Sequence, residues 1–276
     1  MRSCKLPSGA QMPVLGIGTW RMGESRRIRA QELDAIKYAL ELDYPMIDTA
    51  EMYGDGVAEE IVGEALAGRA KRPFIVSKVY PHNATRTGTI AACERSLKRM
   101  GIERIDLYLL HWRGGSPLAE TFEAFHRLRQ AGKIADFGVS NFDTDDMEEA
   151  ARFDKGLTGT NQVLYCLSRR GPEFDLLPWM RKRSIPLMAY SPLDQGRLLG
   201  SAALKKIAQE VGCTPAQLAV AWVLAQPGVV TIPKSSTRER VKENLGAVDV
   251  KLSPQILAAL DKIFPPPKRK QSLEML

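Results

Sequence analysis

The chain has 276 residues, of which 44% are hydrophobic and 26% charged, a balance that excludes a disordered or fibrous protein and suits one large α/β barrel or two small domains. Its net charge of +7 raises nucleic acid as a partner, but the Lys and Arg residues are spread along many amphipathic stretches rather than gathered in one block, and a phosphorylated small molecule accounts for the excess equally well. No run approaches the ~18 to 20 apolar residues of a bilayer span, residues 1–6 lack a signal-like apolar region, and Cys4, Cys93, Cys166 and Cys213 are scattered without a CxxC pair, so the reading is a cytoplasmic protein with no membrane partner, zinc site or disulfide framework.

In chain order, residues 3–6 and 11–13 flank Pro7-Ser8-Gly9 and read as a hairpin that caps one end of the fold. Short apolar or β-branched runs follow at 14–20, 46–50, 74–79, 105–111, 135–140, 160–165, 187–191 and 229–233. Between them, 30–42, 57–66, 85–100, 118–131, 143–153, 175–183, 202–211 and 238–248 show helical spacing, with Gly68, Gly101, Gly132 and Gly212 as stops. About eight strands alternating with helices predict an α/β fold, a (β/α)8 TIM barrel that occupies residues 1–276 as a single domain. Two extra helices, at 215–226 and 254–264, are expected outside the barrel. The tail 265–276, rich in Pro and Lys, is expected on the surface as a solubilising terminus.

A TIM barrel builds its active site at the C-terminal ends of its strands. Asp48 ends the second predicted strand, Lys78 the third, His111 the fourth and Ser140-Asn141 the fifth, Gln162 lies on the sixth, Tyr190-Ser191 end the seventh and Lys234 follows the eighth. Taken singly, Asp48 reads as a turn cap, Lys78 as a solvated amine and His111 as a hydrogen-bonded core residue. Together they must come within reach of one another, and charges placed so are buried at high cost unless paired, so shared chemistry is the simpler account. Tyr53 stands just beyond Asp48, on the loop that overhangs the mouth. A phenol with a pKa of about 10 is a poor acid at neutral pH, but a neighbouring ammonium lowers it, and Lys78 is the natural neighbour. Asp48 would hold Lys78 charged, and His111 would orient a carbonyl oxygen toward Tyr53.

At these residues the chain resembles the aldo-keto reductase family. The matching stretches run from Gly16-Ile17-Gly18-Thr19-Trp20 to about Phe264 and include Asp48-Thr49-Ala50-Glu51-Met52-Tyr53-Gly54, Ser77-Lys78, Leu109-Leu110-His111-Trp112, Gly138-Val139-Ser140-Asn141-Phe142, Asn161-Gln162, Ala189-Tyr190-Ser191-Pro192-Leu193 and Ile232-Pro233-Lys234-Ser235. The resemblance implies Tyr53 as general acid with Asp48, Lys78 and His111 as partners, direct hydride transfer from a nicotinamide to the carbonyl carbon, and no metal. Gly16 and Gly18 are present but Arg21 takes the place of a third glycine, so a Rossmann fingerprint is missing. Instead, Lys234, Ser235, Thr237, Arg240, Glu243 and Asn244 sit after the last strand and on the first turns of its helix, where N–H groups and cations favour phosphate. By resemblance Lys234, Ser235 and Arg240 grip the 2′-phosphate of NADPH, Glu243 and Asn244 the adenine, Tyr190 the nicotinamide face, and Ser140, Asn141 and Gln162 its carboxamide. Thr19, Trp20, Ser191 and Leu193 complete the cofactor set.

Trp20, Tyr53, His111 and Trp112 are expected to line the substrate pocket. Only Arg113-Gly114-Gly115-Ser116 follows the fourth strand and little follows Phe264, so the pocket is expected to be open and shallow. The short loops most resemble bacterial members that reduce methylglyoxal and similar oxo-aldehydes; sugar ketones of the 2,5-diketo-gluconate type and aromatic aldehydes are the next readings. A regulatory subunit that binds cofactor with little turnover is a third, and a monomer is expected. A barrel hydrolase or lyase would need paired carboxylates or a metal cluster at strand ends, and the sequence offers neither.

Overall fold

The computed structural model describes residues 2–276. Ser3–Lys5 (β1) and Gln11–Pro13 (β2) pair antiparallel, with Ser3 opposite Pro13. Their turn passes through Gly9 at φ +94, a conformation only glycine adopts without strain. Leu6 and Met12 beneath the hairpin are buried, and Leu6 lies over Gly159 at the start of a barrel strand. The hairpin therefore closes the bottom of the barrel, as the sequence indicates.

Eight parallel strands follow in chain order: Ile17–Gly18 (β3), Met46–Asp48 (β4), Phe74–Val79 (β5), Ile105–Leu110 (β6), Ile134–Ser140 (β7), Thr158–Leu164 (β8), Leu187–Tyr190 (β9) and Val229–Thr231 (β10). The ends meet where Leu15 bridges Thr231 and Gly18 bridges Lys234, so the sheet is a closed barrel. Closure depends on glycine, because a Cβ at Gly18 would stand 2.8 Å from the Ile232 carbonyl oxygen. The strands are buried on both faces, as those of a parallel sheet covered by helices must be. The first barrel strand is shorter than predicted. At Thr19 the backbone leaves the ladder, both its N–H and its hydroxyl donate to the Asp48 carbonyl at 3.0 Å, and the chain turns through Arg21 at φ 62.

The outer layer is Arg29–Glu41 (α1), Val57–Leu66 (α2), Arg86–Met100 (α3), Leu118–Gln130 (α4), Thr144–Ala150 (α5), Leu176–Lys182 (α6), Ala202–Val211 (α7), Pro215–Ala225 (α8), Arg238–Leu245 (α9) and Pro254–Ile263 (α10). Gly101 and Gly212 end α3 and α7 in left-handed caps. α5 stops short of its predicted end at 153 because Asp154 accepts from the Gly156 and Thr158 N–H groups and fixes a turn there. The two extra helices, α8 and α10, lie outside the strands.

The tail lies on the surface, as expected, but it is tied down there. Lys270 pairs with Asp175 at 3.2 Å, Glu274 pairs with Arg169, and Leu273 packs against the core. The segment is thereby drawn back across the barrel mouth instead of trailing free. Among the described residues no helix is long and apolar enough to cross a membrane.

Candidate active site

The register of neighbouring strands sets Asp48 beside Gly18 and Val76, and Lys78 beside Leu109, so the polar strand ends meet at one level of the barrel. Lys78 is 0% exposed, Asp48 2%, and Tyr53 and His111 7% each. Lys78 Nζ donates to Asp48 Oδ2 at 2.7 Å, to the Thr49 carbonyl at 2.8 Å and to the Tyr53 hydroxyl oxygen at 3.2 Å. An ammonium has three protons, and here each has an acceptor. Asp48 Oδ1 accepts from Gln162 Nε2 at 2.7 Å. A buried ion pair is tolerated only when its remaining donors and acceptors are satisfied in this way. Since Lys78 occupies a lone pair of the Tyr53 oxygen, the phenolic proton is free to be donated elsewhere.

Burial and pairing pull against each other. Burial lowers the Lys78 ammonium and raises the Asp48 carboxyl, while each one's charge opposes the other's shift. Burial, reinforced by the Asp48 charge, lifts the Tyr53 phenol well above 10. This reverses the sequence expectation that Lys78 would lower it: in a sealed site the phenolate's lost hydration outweighs the nearby ammonium. Tyr53 is therefore a phenol that keeps its proton until a strong base forms beside it. Burial, and then the Lys78 charge, push the His111 imidazole well below its usual range. It is neutral at pH 7, with its Nδ1 buried and unpartnered, and its ring meets the Tyr53 ring edge-on at 5.6 Å.

These residues floor a cavity of ≈ 290 Å³ whose walls include Trp20, Trp112, Ser140, Asn141, Tyr190, Ser191 and Lys234. Asn141, at φ 59, is fixed by its amide, which donates to the His111 carbonyl at 3.1 Å and accepts from the Tyr190 hydroxyl at 2.9 Å. Ser140 Oγ donates to the Gln162 carbonyl at 2.7 Å. These bonds tie the C-terminal ends of β6, β7 and β9 to one another and β7 to β8. Lys234 leads from this cavity to a second group at the start of α9. There Thr237 caps the helix by accepting from the Arg240 N–H, and Asn244 Nδ2 donates to Ser235 Oγ at 2.8 Å. Arg238 is committed to Asp34 through two hydrogen bonds, whereas Arg240 and Lys234 are exposed.

A sequence model of the Aldo/keto reductase family matches residues 14–264. The chain belongs to that family. It is similar to methylglyoxal reductase YeaE of Escherichia coli, 47% identical over 96% of this chain and 95% of that protein. It is also similar to glyoxal reductase of Bacillus subtilis, 35% identical over 94% and 91% of the respective chains. Among solved structures, an aldo-keto reductase from Klebsiella pneumoniae in complex with NADPH superimposes with a TM-score of 0.95 at 46% identity, covering 100% of this chain and 99% of that one.

Of the residues singled out in this aldo-keto reductase from its sequence, Asp48, Tyr53, Lys78 and His111 are brought into contact, and Trp20, Trp112, Ser140, Asn141, Gln162, Tyr190, Ser191 and Lys234 line the cavity around them. Ser235, Thr237, Arg240, Glu243 and Asn244 lie apart on the α9 group. Thr19 lies behind the wall, spending its hydroxyl on the Asp48 carbonyl, and Leu193 packs against the core. Met52, Ile232, Met275 and Leu276 also line the cavity without having been foreseen. The last two come from the tail, so the pocket is roofed on that side instead of open. Their only sequence signal is a pair of apolar residues in a polar tail.

Proposed function

We propose that this chain is an NADPH-dependent reductase of small aldehydes and ketones, acting first on oxo-aldehydes such as methylglyoxal, with residues 1–276 working as one domain. The observation that carries the reading is the Asp48–Lys78–Tyr53 chain at 2.7 and 3.2 Å, which ends on a protonated phenol facing an apolar-walled cavity. The residues present fit the cofactor. Asn141, Ser140 and Gln162 offer amide and hydroxyl groups at the inner wall, Tyr190 offers a ring face, and Lys234 with Arg240 offers uncommitted cations for a phosphate ester. NADPH, when bound, supplies the hydride that reduces the carbonyl carbon.

The protein's own part is positional and electrostatic. Neutral His111 orients the carbonyl oxygen toward Tyr53 by a hydrogen bond that a cation could not release as readily. Tyr53 then gives its proton to that oxygen as negative charge grows there, and Lys78, held by Asp48, stabilises the phenolate left behind. Met275 and Leu276 narrow the cavity from the tail side, which suits a small, compact substrate. The relatives named for methylglyoxal and glyoxal reduction and the NADPH complex support this choice of substrate and cofactor.

The test is loss of NADPH absorbance with methylglyoxal and a panel of small carbonyls, for wild type and Tyr53→Phe, and with NADH in place of NADPH. Turnover by wild type, reduced ~100-fold or more in Tyr53→Phe, is the expected result. Tight NADPH binding with no turnover of any carbonyl would instead favour a regulatory, cofactor-binding role.

A further inference from the structure

Tyr53 is followed by three residues in left-handed backbone: Gly54 at φ 55, Asp55 at φ 53 and Gly56 at φ 93. The run is a single short turn, held within itself only by bonds such as that from the Asp55 N–H to the Met52 carbonyl at 3.3 Å, and Asp55 is strained in it, so its shape depends on what surrounds it. On one side Gly54 abuts the first barrel loop, where a Cβ would stand 2.8 Å from the Met22 carbonyl oxygen. On the other side Gly56 lies against Arg99, reaching over from the last turn of α3, and a Cβ there would stand 2.8 Å from both Arg99 Cδ and Nε.

Arg99 is itself anchored. Its Nε donates to Glu59 Oε2 at 2.7 Å, and Glu59, in the first turn of α2, is 0% exposed. The other carboxylate oxygen, Oε1, accepts from Ser77 Oγ at 2.6 Å. Ser77 immediately precedes Lys78 on β5, so it points to the outer face of the barrel while Lys78 points inward. One buried carboxylate therefore grips, from outside the barrel, both the turn that carries Tyr53 and the strand that carries Lys78. Helix-to-strand packing needs no ion pair at this depth, since apolar side chains of similar volume would serve at least as well. The arrangement is explained by what it fixes: the Lys78 to Tyr53 separation of 3.2 Å.

We propose that Glu59 and Arg99 are positioning residues for proton delivery, setting the Tyr53 hydroxyl against Lys78 through the Gly56 turn and Ser77. The inference rests on the reading of Tyr53 as the acid. It predicts that the brace affects the chemical step and leaves cofactor binding alone, because neither residue lines the cavity or the α9 group.

The experiment compares Arg99→Ala, Arg99→Lys, Glu59→Gln, Ser77→Ala and Tyr53→Phe. For each, kcat with saturating NADPH and methylglyoxal, the NADPH Kd by fluorescence quenching, the melting temperature, and amide hydrogen exchange over residues 53–57 are measured. In Arg99→Ala, kcat falls ~10-fold or more, as for a displaced catalytic group, while Kd stays within about twofold and exchange in the turn speeds up about tenfold. Arg99→Lys or added guanidinium ion recovers part of kcat. Should Arg99→Ala fail to fold, Ser77→Ala loses one hydroxyl only, and kcat is expected to drop about threefold at unchanged Kd. Wild-type kcat and wild-type exchange in these variants, or a kcat loss matched by an equal rise in Kd, overturns the proposal. Full activity in Tyr53→Phe would refute the acid reading itself, whereas an inert Tyr53→Phe beside a fully active Arg99→Ala would refute only the brace.

Discussion

At the floor of the mouth Lys78 and Asp48 are sealed from water and spend every donor and acceptor on one another and their neighbours, whereas Lys234 and Arg240 at the start of α9 stand in solvent. The floor is preset: its charges are paired before any ligand arrives, so little reorganisation accompanies reaction. The α9 group is held in readiness. Partial burial of its side chain lowers the Lys234 ammonium, with the Glu32 charge opposing that shift and the Arg240 charge adding to it. Buried charges of the first kind act through geometry and resist salt, while exposed ones act through a screened field. The two regions should therefore answer differently to mutation.

The sharpest break comes from Lys78→Met. It strands Asp48 as a buried carboxylate without its ion partner, and removing one member of such a pair destabilises by about 3–5 kcal/mol. Urea denaturation should show that loss, and turnover should fall ~100-fold or more with it. The double change Asp48→Asn with Lys78→Met removes both charges and should recover much of the stability with none of the activity. Recovery of activity in the double variant would show that the pair is structural.

At the exposed end the effect should be smaller and of another kind. Arg240→Ala is expected to raise the KM for NADPH about tenfold, corresponding to the ~1.4 kcal/mol of a charge-assisted phosphate contact, with kcat and the KM for NADH unchanged. Raising salt should shrink the difference between wild type and variant, because the contact lies in solvent. An equal effect on NADH would mean that Arg240 supports the helix and not a phosphate.

The same contrast explains how much could be read from the sequence. Asp48, Lys78 and His111 end apolar strands, where a polar residue is conspicuous, and the barrel rule brings strand ends together whatever the side chains are. The α9 group was legible as cations at a helix start after the last strand. Other features leave no such trace. Glu59 and Arg99 sit on helices among ordinary charged neighbours, and only the burial of Glu59 and the Gly56 contact distinguish them. Met275 and Leu276 reach the cavity through ion pairs between the tail and Asp175 and Arg169, long-range contacts that no local periodicity encodes. The Tyr53 phenol shift was misjudged for a related reason: its neighbours were visible in sequence, but the depth of burial that outweighs them was not.

His111 belongs to the floor yet carries no charge, so it gives the mildest test of the comparison. Burial and then Lys78 set its folded pKa well below the usual value of about 6.5. In the unfolded chain the imidazole takes up a proton as pH drops through that value, while in the folded protein it does not. Between the two pKa values the unfolded state binds more protons, so this residue's share of stability is full above about pH 6.5 and declines as pH falls below it. The slope cannot exceed about 1.4 kcal/mol per pH unit for one proton. Relative to His111→Gln, wild type should therefore lose stability on going from neutral to mildly acid solution, read as denaturation midpoints at several pH values. Its kcat/KM should meanwhile stay flat through the ordinary histidine range, because the imidazole is already neutral there. An activity limb centred near 6.5 that vanishes in His111→Gln would instead place the proton on the imidazole and move the acid from Tyr53 to His111.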